Sequence, residues 1–484
     1  MAIIDSSSLY AGMMTSVDIP NAILFLIFRK AQYYMIRQNV DVRVYHMQKR
    51  RSVHLFIRES FQFTGNGVSL SAFCIFSALY APSMGGVERF TQSLAMELAH
   101  RGHRVVIVTN DTGDLGPHEL IDVRGVAAAD GREALDGAPP DGRTGHIEVF
   151  RFPCMSLLGG RYPVPIKNAC FRSIVSALDS MAFDGVLVNT RFYIHSLLGT
   201  AFARRRGLRP IVLDHGSAYL TLGSSFADAV IARYEDAVTA LLKRQGVDFY
   251  GISRKSCDWL RHFGIEARGI ISNSIDADAY RAQASSRDFR SDFAIPRESM
   301  MAAFTGRLIP EKGIFVLLEA FKLLQDYAGV SKDGDDGIPH LVVAGDGPLR
   351  SEVEGCGLDN VHLAGRLDSG DIAALLLQSD VFCLPTRSEG FSTSLLEASA
   401  CGTPSVVTDV GGAFEVIPDE SCGHILRKAD AAELAETLRG MSGARSELAL
   451  MGERTYAHVR VSCSWASTAD QLLAAFRACE PPVL

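Results

Sequence analysis

The chain of 484 residues is 47% apolar and 21% charged, a balance that fills hydrophobic cores and excludes a disordered, collagen-like or coiled-coil polymer. At roughly 150 residues per domain, this length predicts two to three domains. The net charge of −7 argues against general nucleic-acid binding, and ten cysteines without a Cys-x-x-Cys pair exclude a zinc ribbon or thioredoxin-type site and fit scattered thiols in a reducing cytosol.

The charge is uneven: residues 1–70 carry +4, residues 71–282 carry +1 and residues 283–484 carry −12, so the two halves are expected to face different partners. In residues 1–70 the apolar run 19–28 is far short of the ~20 residues that span a bilayer. No basic segment precedes it and no small-residue cleavage site follows, so it does not read as a secretory signal. Arg29, Lys30, Arg37, Arg43, Lys49, Arg50 and Arg51, mixed with Tyr33, Tyr34 and Tyr45, leave two readings open: a poorly ordered extension, which is preferred, or a basic segment at a membrane interface.

The regular pattern starts near residue 72. An apolar strand at 73–80 leads into the turn Ala81-Pro82-Ser83-Met84-Gly85-Gly86. A helix then runs to His100, is stopped by Gly102, and gives way to a buried strand at 104–109. Residues 110–145, rich in Gly, Asp and Pro, read as a long loop. Strands are predicted at 147–152, 185–189, 210–214, 249–253 and 269–272, and the polar stretch 283–298 reads as an interdomain linker. A second series follows, with strands at 301–305, 340–344, 361–363, 381–384 and 405–408. Its helices fall at 313–327, 369–378, 392–400 and 429–441, and a last helix at about 465–480 packs back on the first domain. Strands alternating with helices imply two parallel, doubly wound α/β domains, at 71–282 and 295–464, with ligands in the crevice at the strand carboxyl ends.

Four segments at such strand ends carry candidate chemistry. Gly85-Gly86 opens a helix where backbone can approach a ligand. Asp214-His215-Gly216-Ser217 puts an imidazole on a strand end. In Thr305-Gly306-Arg307-Leu308-Ile309-Pro310-Glu311-Lys312-Gly313, Arg307 and Lys312 can converge on one anion across a proline turn. In Ser388-Glu389-Gly390-Phe391-Ser392-Thr393-Ser394-Leu395-Leu396-Glu397, two carboxylates about 12 Å apart along a helix could reach opposite ends of one polar ligand. The amides of Gly390, Phe391 and Ser392 lie between them.

Together with Leu98-x-x-Arg101-Gly102-His103, Asn273-Ser274-Ile275-Asp276, Val343-Ala344-Gly345-Asp346-Gly347-Pro348-Leu349 and Ala400-Cys401-Gly402-Thr403-Pro404, these segments resemble the retaining GT-B glycosyltransferases of family 4, the group 1 type, over residues 71–480. The resemblance implies a GT-B architecture, two Rossmann-like domains facing a central cleft. It implies transfer of a sugar from a nucleotide-diphosphate sugar to a saccharide or lipid-linked acceptor with retention, without cofactor or metal. Arg307 and Lys312 would hold the diphosphate, with Gly85 and Gly86 against it from the first domain. Glu397 would take the ribose hydroxyls, Glu389 the transferred sugar, and Leu367 the base. His215 would sit near the sugar hydroxyls. The Asp-x-Asp at Asp333-Gly334-Asp335 reads as a solvated loop rather than a metal site. Arg204, Arg205, Arg206, Arg209, Lys243 and Arg244 make the acceptor half locally basic. They fit either a solvated helix end or docking on an anionic membrane, at the inner face of the cell membrane for a cytoplasmic enzyme. A nucleotide-sugar epimerase or hydrolase, and a binding module without turnover, are the alternatives. An oxidoreductase is disfavoured because no Gly-x-Gly-x-x-Gly follows a strand.

Overall fold

The computed structural model describes residues 71–83, 85–123, 145–221, 224–330 and 337–479. The extension 1–70, Met84, most of the expected 110–145 loop and the Asp333-Gly334-Asp335 motif lie outside them. The described residues between Leu70 and Thr221 and between Ile231 and Leu484 form one compact unit that holds both sheets.

The first sheet contains β1 (Ala72–Ser77), β2 (Arg104–Asp111), β3 (His118–Ile121), β4 (Ile147–Leu157), β5 (Tyr162–Pro165), β6 (Gly185–Asn189), β7 (Ile211–Asp214) and β8 (Asp248–Gly251). Its order is β3-β4-β2-β1-β6-β7-β8, with β5 paired to β4. The strands from β4 to β8 run parallel, while β3 and β5 pair antiparallel with β4. A parallel sheet is covered on both faces, so its strands are continuous apolar runs whose alternate residues enter different cores. Phe73 and Ile75 of β1 pack with the helices Gly86–His100 and Trp465–Cys479, whereas Cys74 and Phe76 pack with Ala169–Asp179 and Ile194–Arg205. The C-terminal helix is fitted closely to the first sheet. Phe476 stacks on Phe73 with ring centroids 5.2 Å apart, and a Cβ on Gly185 would lie 2.7 Å from the Phe476 ring.

The second sheet holds β9 (Met301–Thr305), β10 (His340–Ala344), β11 (Val361–Gly365), β12 (Val381–Leu384), β13 (Ser405–Thr408) and β14 (Gly423–Leu426). All pairs are parallel, in the order β11-β10-β9-β12-β13-β14. The parallel strands of both sheets thus follow the 3-2-1-4-5-6 order of the Rossmann fold, which places ligands outside the strand carboxyl ends.

Several expectations change. The 110–145 stretch contains β3, whose largely exposed side chains conceal the strand. Residues 269–272 form only an isolated bridge, Ile270 to Gly251. The 283–298 stretch is not a free linker: Phe289 and Ile295 are buried in the second core. Arg287 pairs with Asp371 at 3.2 Å, and Arg290 with Asp380 at 2.7 Å. Strand β14 and the helix Arg445–Ser462 join the elements predicted from sequence. Among the described residues no helix is long and apolar enough to cross a membrane.

Candidate active site

The loop after β9 is locked to the loop after β10. The amide of Gly306 donates to Ala344 O, and that of Leu308 to Asp346 O, both at 3.0 Å. Gly345 has φ +153°, and a Cβ there would overlap the Gly306 carbonyl oxygen, so the approach demands glycine. Leu308 is buried, and Arg307 beside it is left exposed, its side chain without a hydrogen bond or ion pair among the described residues.

Lys312 closes the 3-10 turn Pro310–Lys312, which stops at Gly313 in the left-handed conformation (φ 78°). A Cβ on Gly313 would overlap Pro385 O. Glu311 O accepts the Arg387 amide at 2.8 Å and the Thr386 hydroxyl at 2.9 Å. These bonds tie the turn to the loop after β12, and Lys312 Nζ forms an ion pair there with Glu389 Oε1. The two side chains are 19% and 14% exposed, so Glu389 is no solvated surface acid.

The helix that separates the two glutamates starts only at Thr393, with Ser392 as its cap and Ser392 Oγ accepting the Leu395 amide at 3.3 Å. Residues 389–392 are a turn, so the helical spacing expected between Glu389 and Glu397 does not apply from the first acid. The turn instead reaches across to the first sheet. Ser217 Oγ donates to Glu389 O at 2.6 Å, and Ser253 Oγ to Gly390 O at 3.2 Å. A Cβ on Gly390 would overlap the His215 carbonyl. Phe391 packs against the cores of both sheets, so its side chain is a wedge between them.

Glu397 has its pKa pushed up to about 7, first by burial, against the opposing pull of Arg89, Tyr280 and Lys312. Lys312 therefore acts on both glutamates, and the charge of Arg89, on the helix Gly86–His100, also favours ionised Glu397. Tyr280, on the short helix Ala277–Ala282, lies beside Glu397. Its buried hydroxyl has no hydrogen bond of ordinary geometry among the described residues.

His215 follows β7 with its ring part-exposed. The ring stands edge-on to Phe90 at 5.0 Å, and Nε2 lies 3.1 Å from Asn189 Oδ1 at the end of β6. Burial brings the imidazole pKa down to about 3. Gly85 caps the helix Gly86–His100 without a side-chain bond, and a Cβ on Gly86 would meet nothing within 4 Å. Leu367, after β11, packs on the second core. Lys312, Glu389, Gly390, Glu397 and His215 are thus brought together. No hydrogen bond or ion pair among the described residues joins Arg307, Gly86 or Leu367 to them.

Arg89, Tyr280 and Asn189 escape the sequence reading. Arg89 alone had a local signal, one helical turn after Gly86. Of the basic residues assigned to the acceptor half, Arg206 is committed to the carbonyls of Met181 and Leu178, Arg209 to Asp248 and Lys243 to Phe263 O. Arg204, Arg205 and Arg244 are exposed. Among the described residues no three His, Cys, Asp or Glu side chains come together as metal ligands.

Residues 84–279 match the family described as Glycosyltransferase Family 4, and residues 285–457 that described as Glycosyl transferases group 1. The D-inositol 3-phosphate glycosyltransferase of Nocardia farcinica is 26% identical over 419 residues, 81% of this chain and 85% of the relative. Among solved structures, sucrose-phosphate synthase from Thermosynechococcus elongatus is similar with a TM-score of 0.58 at 19% identity, covering 84% of this chain and 98% of that one. HepE of Anabaena in complex with UDP is similar with a TM-score of 0.58 at 17% identity, covering 84% and 100%. At these identities the two structural likenesses are likenesses of fold.

Proposed function

Because the chain belongs to the GT-B glycosyltransferases of family 4, we propose that it moves a sugar from a nucleotide-diphosphate sugar to a saccharide or lipid-linked acceptor with retention of configuration. The reaction uses no metal and serves polysaccharide or glycolipid synthesis in the cytoplasm. One observation carries this reading: Lys312 pairs with Glu389 and, with Arg89 of the helix Gly86–His100, also acts on the charge of Glu397. A cation of the first half, Arg89, thus bears on the same carboxylate, Glu397, as Lys312 of the second, at the strand ends. The UDP bound to HepE supports a nucleoside diphosphate as the group they hold.

Cleaving the anomeric C–O bond leaves an oxocarbenium-like sugar and extra negative charge on the diphosphate. Arg307 receives that charge as a planar fork and Lys312 as a point charge, each contact contributing ~1.5–3 kcal/mol. Before the donor binds, Glu389 holds Lys312 in place. When the diphosphate enters, the ammonium is shared, and Glu389 turns toward the transferred sugar. The amides of Gly390, Phe391 and Ser392 line the same turn, Gly85 and Gly86 leave room opposite, and Leu367 borders the base. Glu397, ionised, accepts the ribose hydroxyls. On the front face the bond from C1 to the diphosphate oxygen breaks as the bond from C1 to the acceptor oxygen forms, and the acceptor proton passes to the diphosphate. His215, neutral at physiological pH, shapes the reaction centre without acting as the base. Arg204, Arg205 and Arg244 are the cations available for docking on an anionic membrane that carries a lipid-linked acceptor.

Product analysis by NMR, with and without a saccharide acceptor, tests the reading. The expected result is a new glycoside of unchanged anomeric configuration that forms only when acceptor is present. Free sugar or an epimerised nucleotide sugar as the main product would replace transfer with hydrolysis or epimerisation.

A further inference from the structure

Behind His215 a line of buried polar side chains runs from the end of β1 to the end of β7, and its protons can be counted. Ser77 Oγ donates to Leu79 O at 2.9 Å. That uses its single proton, so toward other groups Ser77 can only accept. Thr91 Oγ1 lies 2.8 Å from Val87 O and 3.3 Å from Ser77 Oγ. Both are acceptors, so the one Thr91 proton goes to one of them, and the oxygen must accept from its third neighbour. That neighbour is the Asn189 side chain, 2.8 Å away. Asn189 therefore turns its NH2 to Thr91 and its carbonyl oxygen to His215, where Oδ1 lies 3.1 Å from Nε2.

An amide carbonyl cannot donate, so Nε2 carries the imidazole proton. Ser77, Thr91 and Asn189 are at most 1% exposed, which keeps water from offering another partner. The edge-on contact with Phe90 fixes the plane of the ring. Because burial pushes the pKa of His215 down to about 3, no second proton binds at neutral pH. Nδ1 is left unprotonated, without a partner among the described residues.

The geometry points to Asn189 and Thr91 as positioning residues that fix His215 in its Nε2–H form and so present the Nδ1 lone pair to a hydroxyl group of the bound sugar. The sugar contact rests on the role given to His215 under the proposed function, whereas the tautomer does not. A neutral acceptor selects for chemistry: it takes a hydrogen bond from a hydroxyl and repels a carboxylate. The site is built for a sugar that offers a hydroxyl at this point, not for one that is oxidised to a uronate there.

NMR of enzyme labelled with 15N in histidine reads the tautomer directly, with the His215 resonances identified by their loss in His215→Gln. In the free wild-type enzyme at neutral pH, Nε2 is expected to be protonated and Nδ1 unprotonated. The reverse assignment would overturn the proposal. Thr91→Val removes the lone pair that holds the Asn189 amide and is expected to shift the population toward Nδ1–H. Asn189→Asp keeps an accepting oxygen and should restore Nε2–H. The other histidine resonances report whether each variant is folded. Should Thr91→Val fail to fold, Asn189→Leu provides the same loss of the Nε2–H preference. A tautomer unmoved in every folded variant would refute the positioning role. UDP-, GDP- and ADP-glucose are then added in turn. A shift of the Nδ1 resonance on saturation supports the sugar contact, and saturation without a shift overturns it. If none of the three binds, the donor reading fails and the sugar contact with it, while the tautomer result stands on its own.

Discussion

Replacing Glu397 by Gln should uncouple the stability of the protein from pH in a defined window. In the folded chain the Glu397 pKa lies at about 7 against an ordinary 4.5, a difference of roughly 2.5 pH units. The folded state therefore binds this proton more tightly than the unfolded state. The resulting contribution is fully present below pH 4.5, falls as pH rises, and is gone once pH passes about 7. At about 1.36 kcal/mol per pH unit, the whole effect amounts to at most about 3 kcal/mol. Glutamine imitates the neutral acid and carries no proton to lose. The stability of Glu397→Gln relative to wild type should then increase by up to about 3 kcal/mol between pH 4.5 and pH 8. Urea unfolding followed by far-UV circular dichroism, run on both proteins at several pH values, measures this. Asp214, raised to about 6 by its burial, and His215 titrate in both proteins and cancel in the difference. The same substitution should weaken binding of a nucleoside diphosphate, and wild-type affinity should rise with pH up to about 7 as Glu397 ionises. Parallel stability curves for the two proteins would refute the assignment of a buried, proton-holding Glu397.

Lys312→Ala removes a diphosphate contact and leaves Glu389 without its ion-pair partner. Turnover should fall by two orders of magnitude or more, on the order of 3 kcal/mol, in steady-state assays; near-normal activity would remove Lys312 from the site. Gly390→Ala should lower activity by at least tenfold with little change in thermal stability, because a methyl group there drives the 389–392 turn off the His215 carbonyl. Wild-type turnover in that variant would mean that the contact is not needed. EDTA should leave the rate unchanged, and loss of activity restored by a divalent cation would contradict the charge-stabilising role of Arg307 and Lys312. Flotation with anionic vesicles should show salt-sensitive binding that weakens in an Arg204→Ala, Arg205→Ala, Arg244→Ala variant; no binding at low salt would remove the membrane from the account.

Much of the fold was legible because the strands of parallel sheets are short, uninterrupted apolar runs. Residues 72–77, 185–189 and 301–305 are of this kind, each followed by a turn and a helix. What the sequence concealed is equally specific. Strand β3 is mostly exposed and offers no apolar run. The helix Arg445–Ser462 buries only Leu448, Gly452, Thr455 and Val459, a helical spacing built largely of small or polar residues. The polar look of 283–298 comes from Arg287 and Arg290, which pair with Asp371 and Asp380, and from Asp288 and Asp292, which bond within the stretch; it hides Phe289 and Ile295 at the core. The GT-B fold follows from the order of the motifs and is the fold found. Of the residues the structure brings together, Lys312, Glu389 and Glu397 could be picked out because each lies on a turn or helix that follows a strand. Arg89, Tyr280 and Asn189 lie on other elements, and nothing in a linear sequence says what stands across a crevice from them.

The most direct measurement is a crystal structure of the protein with whichever of UDP, GDP or ADP it binds most tightly. The account requires diphosphate oxygens within hydrogen-bonding distance of Arg307 and Lys312, with the ribose hydroxyls on Glu397 and Glu389 at the far end of the same crevice. A nucleotide bound elsewhere, with these four side chains turned away from it, would contradict it.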